Sequence, residues 1–341
     1  MVLFFVATGL GFLATGGILI LVRQVDILDV PNERSAHTSP MPTLGGVGII
    51  LGVWGALAVG MLMGTQAPVV WQGLLIASGI LMVFVYDEMR PLGRLTKLIL
   101  QVGTAGVMVG ADVVLPRIYM PGWMDIELHS WAIPVTFLWF LGIQNFYNFM
   151  DGIDAIAGLE GVLVAGLWAS VASGLTSSEY TLPIVIAGAS LGFLFLNFPP
   201  AKIFMGDAGS NFLGLTLGVM AVLGDAIGLP FGVSLLFLGT FLFDAIYTLL
   251  RRLFRGENIT LAHRFHLYQR LDRMGWSHLR INVVYGLCTL LLGGVGYLWV
   301  YAHAQVAFRA TVGVLVLMGM AAGWVEWQWK AWSRLEKRHG V

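Results

Sequence analysis

Four groups of side chains have the types and spacing to do chemistry. The first is Asn145, Asn148, Asp151 and Asp154, set three apart in Asn145-Phe146-Tyr147-Asn148-Phe149-Met150-Asp151-Gly152-Ile153-Asp154. On a helix each step of three drifts by about 60°. Asn145, Asn148 and Asp151 would therefore share a broad face, and a helix stop at Gly152 would let Asp154 turn back toward them. The second group is the adjacent pair Asp87-Glu88, followed by Arg90, Arg94 and Lys97. Adjacent acids repel, which favours a proton on one or a cation or basic substrate facing both. The third, Phe204-Met205-Gly206-Asp207-Ala208-Gly209-Ser210, sets a carboxylate between glycines. Glycine lets a backbone approach a ligand closely, and amides ahead of a helix receive phosphate. The fourth is His263, Arg264, His266 and Arg270, inside the basic stretch 251–280.

Asp207 suits a hard divalent cation. Magnesium, with manganese as the alternative, would be completed by an amide oxygen such as that of Asn148 and by two diphosphate oxygens. Guanidinium groups pair with phosphate oxygens in a bidentate way, which fits Arg264 and Arg270. His263 and His266, three apart, would stand together on a helix, but without a neighbouring cysteine they make a poor zinc site. Each group also has a structural reading: helix caps at a membrane boundary, a charged loop tip, a glycine-rich turn, or the ordinary basic excess of cytoplasmic loops, to which Arg251, Arg252 and Arg280 are assigned. Together the four point to phosphoryl transfer, a reaction that needs mostly positioning and charge neutralisation.

The elements that must hold these groups are membrane spans. The chain has 341 residues, 57% hydrophobic and 11% charged, with mean hydropathy +0.82. Such a composition excludes a soluble globular domain. The net charge of +0 argues for no nucleic-acid partner, and the single cysteine, Cys288, excludes an intrachain disulfide or a cysteine-rich metal site. The first apolar segment lacks a basic start and a cleavage site, and reads as a span. Eleven spans are predicted, at 2–22, 44–64, 69–86, 97–115, 131–148, 156–175, 181–198, 210–224, 229–250, 281–302 and 306–327. With the N-terminus periplasmic and the C-terminus cytoplasmic, all of the 19 Lys and Arg except Arg117 and Arg309 fall on the cytoplasmic side, as the positive-inside rule requires. The least certain stretch is 210–230, whose glycines and Pro230 also fit a re-entrant segment. The expected fold is all-α, a single polytopic membrane domain over 1–341 with about eleven transmembrane helices and its site at the cytoplasmic face of a bacterial inner membrane. Every polar cluster lies on that face, where a lipid headgroup and a water-soluble substrate can meet.

Five ordered motifs between about Asp29 and Arg270 resemble those of the polyprenyl-phosphate N-acetylhexosamine-1-phosphate transferases. They are Pro31-Asn32-Glu33-Arg34 with His37 and Gly45-Gly46, then Asp87-Glu88 with Leu92, then Asn145 to Asp154, then Phe204 to Ser210, and finally His263-Arg264-Phe265-His266-Leu267-Tyr268-Gln269-Arg270. The last looks like the variant histidine motif of the branch serving O-antigen and similar surface polysaccharides. The resemblance implies transfer of a sugar 1-phosphate from a UDP-N-acetylhexosamine to undecaprenyl phosphate within the lipid bilayer, releasing UMP. It implies Asp207 and Asn148 as metal ligands and Asp154 and Phe204 against the uracil, with Asn145 among the substrate-binding residues. It places Lys97, His263, Arg264, His266 and Arg270 on phosphates, and Asp87, Glu88 and Asp151 as the catalytic acids. Asp87 would act as base or as organiser of the lipid phosphate, and a homodimer fits the same resemblance. Two departures stand out: Glu88 replaces the usual second aspartate, and Ala155 the usual glycine after Asp154.

Two rival classes are a secondary transporter, which would place ionisable groups near mid-membrane and show paired broken helices, and a non-catalytic scaffold of a polysaccharide assembly complex. The sequence shows no internal repeat and keeps all of its acids. A CDP-alcohol phosphotransferase signature is absent around Asp151-Gly152. The sugar is left open among N-acetylglucosamine and 6-deoxy sugars such as N-acetylfucosamine or N-acetylquinovosamine.

Overall fold

The structure, a computed structural model, describes residues 1–31, 39–65, 68–90, 92–175, 181–258 and 264–339. Among these are fourteen α-helices. They run α1 (Val2–Gln24), α2 (Gly45–Leu62), α3 (Val69–Leu81), α4 (Val83–Met89), α5 (Arg94–Gly110), α6 (Ala132–Met150) and α7 (Ile156–Leu175). The second half comprises α8 (Thr181–Asn197), α9 (Gly206–Leu223), α10 (Phe231–Phe237), α11 (Gly239–Phe254), α12 (Leu267–Arg273), α13 (His278–Tyr301) and α14 (Ala304–His339). The only sheet among the described residues is two antiparallel ribbons, β1 (Leu28–Asp29) with β2 (Met41–Pro42), and β3 (Arg117–Met120) with β4 (Met124–Glu127). The all-α polytopic expectation holds.

Each of the eleven predicted spans falls on helix, but length and apolarity support fewer. Seven described helical segments are long and apolar enough to cross a membrane, or eight if α10 and α11 are one span. The shortfall has local causes. Arg94, Lys97 and Gln101 occupy the first turns of α5, and Gln144, Asn145 and Asn148 the last turns of α6. Helix α8 is apolar but only 17 residues long. The predicted span 229–250 is not straight: α10 and α11 meet at Leu238 with a bend of 82°. Stretch 210–224, the uncertain one, belongs to the continuous helix α9, which is also the most enclosed span of the fold.

Lipid gives no hydrophobic reward for helix association, so close packing of small residues must supply it. Helices α1, α2 and α8 cross in this way. A methyl group added to Gly52 would come within 2.8 Å of the Gly11 backbone, and one added to Gly11 within 2.7 Å of the Ala189 carbonyl. The same economy fixes the start of α9. The Gly45 and Gly46 amides donate to the Phe204 and Met205 carbonyls at 2.8 Å each, and Gly46 lies against the Cα of Gly209. The Gly45-Gly46 motif therefore clamps the Phe204–Ser210 motif to α2.

A polar ladder ties α5, α6 and α9 together. Gln101 donates to Asn211 at 2.8 Å, Asn145 to Gln101 at 3.0 Å, and Thr104 to Gln144 at 2.9 Å. At the far end of α9, Arg117 pairs with Asp225 at 3.1 Å. Eighteen residues of helix separate that pair from Asp207, about 27 Å at 1.5 Å per residue. One of the two basic residues expected outside therefore lies a membrane's thickness from the acidic cluster.

Candidate active site

The ends of α4, α5, α6 and α9 converge on a cleft of about 390 Å³ lined by Asp87, Glu88, Lys97, Asn148, Asp151, Asp154, Phe204 and Asp207. At its centre the Lys97 ammonium bridges two carboxylates, 2.5 Å from Asp87 and 2.6 Å from Asp207. Asn148 donates its amide N–H to Asp207 Oδ1 at 3.0 Å and to Ser210 Oγ at 2.8 Å. Asp87 is buried and accepts from the backbone amide of Leu92 at 2.5 Å. Glu88 Oε1 accepts from the Asp207 amide at 3.2 Å. That contact depends on Gly206, whose φ of +75° suits glycine and where an added Cβ would lie 2.9 Å from Glu88 Oε1. The longer side chain of Glu88 thus serves to brace the start of α9.

Helix α6 ends with Asp151 as its cap rather than through a special backbone at Gly152. Gly152 instead leaves room for Tyr268, whose hydroxyl donates to the Phe149 carbonyl at 3.0 Å. The left-handed residue is Ala155, with φ +68°, completely buried and donating its amide to Asn197 at 2.9 Å. An L-residue pays about 1 kcal/mol to hold that conformation. Ala155→Gly is therefore expected to raise stability by about 1 kcal/mol, read as a higher Tm of the detergent-solubilised protein.

The carboxylates of this loop have opposite environments. Burial, and then the charges of Asp207 and Glu88, hold the Asp151 carboxyl up at about 7. Burial also pushes Asp154 upward, but the imidazole of His278 at 3.3 Å and the Ala201 amide at 3.0 Å pull it further down, so it lies below its ordinary value. His278 also faces Asp272 at 3.4 Å, and Asp272 faces Arg264 at 3.6 Å.

The predicted site residues divide accordingly. Asp87, Glu88, Lys97, Asn148, Asp151, Asp154, Phe204 and Asp207 share the cleft. Asn145 is a turn deeper and bonded to Gln101. The buried imidazole of His266 stands 3.4 Å from Asp244, which also accepts from the Leu267 amide at 2.8 Å. Arg270 is drawn away from the cleft: it is fully buried and paired with Glu326 of α14. A phosphate role for it is not what the geometry presents. His263 and the segment Asn32 to His37 lie outside the described residues. Asp29, Thr43, Asn197 and His278 line the cleft although sequence reasoning did not single them out. His278 was indistinguishable from its basic neighbours, and nothing in the order of the chain shows that it turns toward Asp154.

Divalent magnesium takes one or two carboxylates plus phosphate oxygens and waters rather than a protein cage. The donors fit that demand: Asp207 and Asp87 face a common cation position, now bridged by an ammonium. A half-turn of the Asn148 amide would present its oxygen to the same point. Among the described residues no group of three or more His, Cys, Asp or Glu is gathered as a ready-made metal cage.

The chain is similar to known proteins over most of its length. Residues 70–225 match the family model described as glycosyl transferase family 4. A probable undecaprenyl-phosphate N-acetylglucosaminyl 1-phosphate transferase of Bacillus subtilis (strain 168) is 32% identical over 77% of this chain and 74% of its own length. A decaprenyl-phosphate N-acetylglucosaminephosphotransferase of Mycolicibacterium smegmatis is 30% identical over 91% of this chain and 82% of its own. A phospho-N-acetylmuramoyl-pentapeptide-transferase of Pelagibacter ubique is 28% identical over 79% and 82%.

Proposed function

The chain belongs to glycosyl transferase family 4, and from that premise we propose that it transfers an N-acetylhexosamine 1-phosphate from a UDP-sugar to a polyprenyl phosphate, releasing UMP. The observation that carries this reading is a chain of contacts across four helices, in which Lys97 lies 2.5 Å from Asp87 and 2.6 Å from Asp207, and Asn148 lies 3.0 Å from Asp207. In the reaction an oxygen of the lipid phosphate forms a bond to the sugar-bearing phosphorus, and the bond from that phosphorus to the oxygen shared with UMP breaks. Magnesium bound by Asp207 and Asn148 would neutralise diphosphate charge. Lys97 supplies positive charge at the same point. Asp87, buried and held by the Leu92 amide, is placed to orient or deprotonate the acceptor phosphate. Asp154 and Phe204 line the same cleft and are the groups that the family resemblance assigns to the uracil.

UDP-N-acetylglucosamine is the first donor to test, because two of the three relatives above, including the most similar of them, are named for N-acetylglucosamine; the O-antigen assignment rests on the histidine motif alone. Purified protein, undecaprenyl phosphate and a panel of labelled UDP-N-acetylhexosamines should yield a lipid-soluble, magnesium-dependent product and UMP. No product with any donor, while a control enzyme works, would end this reading. The transporter alternative is disfavoured by the position of the acids at helix ends and by the single bent helix pair among the described residues. Two finer expectations follow. His278→Gln should raise the KM for the donor about tenfold through loss of the Asp154 contact, leaving the KM for the lipid unchanged. A carboxyl raised to about 7 is protonated in the fold while the unfolded chain has already ionised at 3.8. Wild-type stability should therefore fall, relative to Asp151→Asn, as pH rises between those values. Equal Tm differences at pH 4.5 and 7.5 would contradict it.

A further inference from the structure

A second cavity, of about 430 Å³, opens between the start of α13 and the outer part of α14, lined by Trp276, Arg280, Trp324, Gln328 and Trp332 among others. It belongs neither to the cleft nor to the motifs that define it. Arg280 follows His278 by two residues, about 200° around the helix. Because His278 lines the cleft, Arg280 is directed to the opposite side of α13, so an anion held there would be about a helix diameter of 10 Å from the cleft chemistry.

The cavity has the layout of an amphiphile. Exposed Arg280 lies 4.2 Å over the Trp276 ring, and exposed Arg273 lies 4.9 Å and 5.4 Å over Trp329 and Trp332. Among the described residues that line the cavity, none is an acid. Below Arg280 on the same stripe of α13, three and seven residues on, Val283 and Leu287 are exposed. Across the groove, Met320 and Leu317 are four and seven residues before Trp324 on α14 and are exposed as well. Tryptophan and arginine at this level mark the membrane surface, with cations above and uncovered apolar side chains beneath.

We propose that this groove binds one anionic glycerophospholipid, its phosphodiester between Arg280 and Arg273 and its acyl chains along the Val283–Leu287 stripe. A zwitterionic lipid matches the apolar half but adds a cation beside two arginines, and so fits less well. The test is to titrate delipidated, full-length protein in detergent with phosphatidylglycerol or phosphatidylcholine and count retained lipids by native mass spectrometry. One phosphatidylglycerol should be retained in preference. Arg280→Gln should weaken its retention roughly fivefold, with a similar further loss in the double variant with Arg273→Gln. Excess inorganic phosphate should not displace it, because the acyl contacts remain. Sugar-phosphate transfer to undecaprenyl phosphate by Arg280→Gln in detergent free of glycerophospholipid should equal that of the wild type, which separates this groove from the cleft. Equal retention of phosphatidylcholine, unaltered retention by the variants, or displacement by phosphate alone would each overturn the assignment. The count is readable whatever reaction the cleft performs.

Discussion

Asp207→Asn should lower sugar-phosphate transfer by about a thousandfold or more while leaving the protein folded. The substitution keeps shape and volume but removes the charge, and it replaces one acceptor oxygen with an N–H donor. Both Asp207 oxygens are already addressed by donors, Lys97 at Oδ2 and Asn148 at Oδ1. Either orientation of the new amide therefore sets donor against donor in a half-buried site, and would leave the proposed divalent cation with one ligand fewer. The start of α9 does not depend on that side chain, because the Gly45 and Gly46 amides hold Phe204 and Met205 through backbone bonds. A normal elution profile and Tm within a few degrees of wild type are thus expected alongside the lost turnover. Transfer at wild-type rate would remove Asp207 from the chemistry.

Lys97→Gln should cost about 10²- to 10³-fold in turnover and, in the same protein, tighten the binding of a divalent cation. The ammonium bridges Asp87 and Asp207 at 2.5 and 2.6 Å. It therefore occupies the position that a second cation would favour, and competes with it. Removing the ammonium leaves two carboxylates facing one another, which a divalent ion relieves. The same removal takes away a positive charge from where the proposed reaction would place the transferring phosphate. Manganese titration followed by electron paramagnetic resonance reads the first effect, and the transfer assay reads the second. Arg is a poor substitute, since its planar fork is built for bidentate pairing rather than for a point charge between two acids. Weaker manganese binding by Lys97→Gln would mean that the lysine organises the ion site rather than competing for it.

The spacing of residues along the chain was enough for much of this. Apolar runs separated by basic loops fix an all-α membrane protein, because a bilayer demands internally satisfied backbone and long apolar segments. Carboxylates and amides gathered at the ends of those runs mark a site, because such groups are costly there. Eight of the proposed site residues line one cleft, and Asn148 and Asp207, 59 residues apart in sequence, are in contact at 3.0 Å.

Other features could be settled only by the packed chain. Arg270 carries the charge and neighbours of a phosphate ligand, yet Glu326, supplied by a helix 56 residues later, draws it away from the cleft. His278 resembles any loop histidine until α13 turns it onto Asp154. Ala155 reads only as a departure from the usual glycine, whereas in the fold Asn197 holds its amide in a left-handed turn. The bend between α10 and α11 has no proline inside it to announce it. Local sequence specifies which segments enter the membrane, because that depends on each segment's own transfer from water. Which charges meet depends on partners brought together from distant segments, and that only the tertiary structure decides.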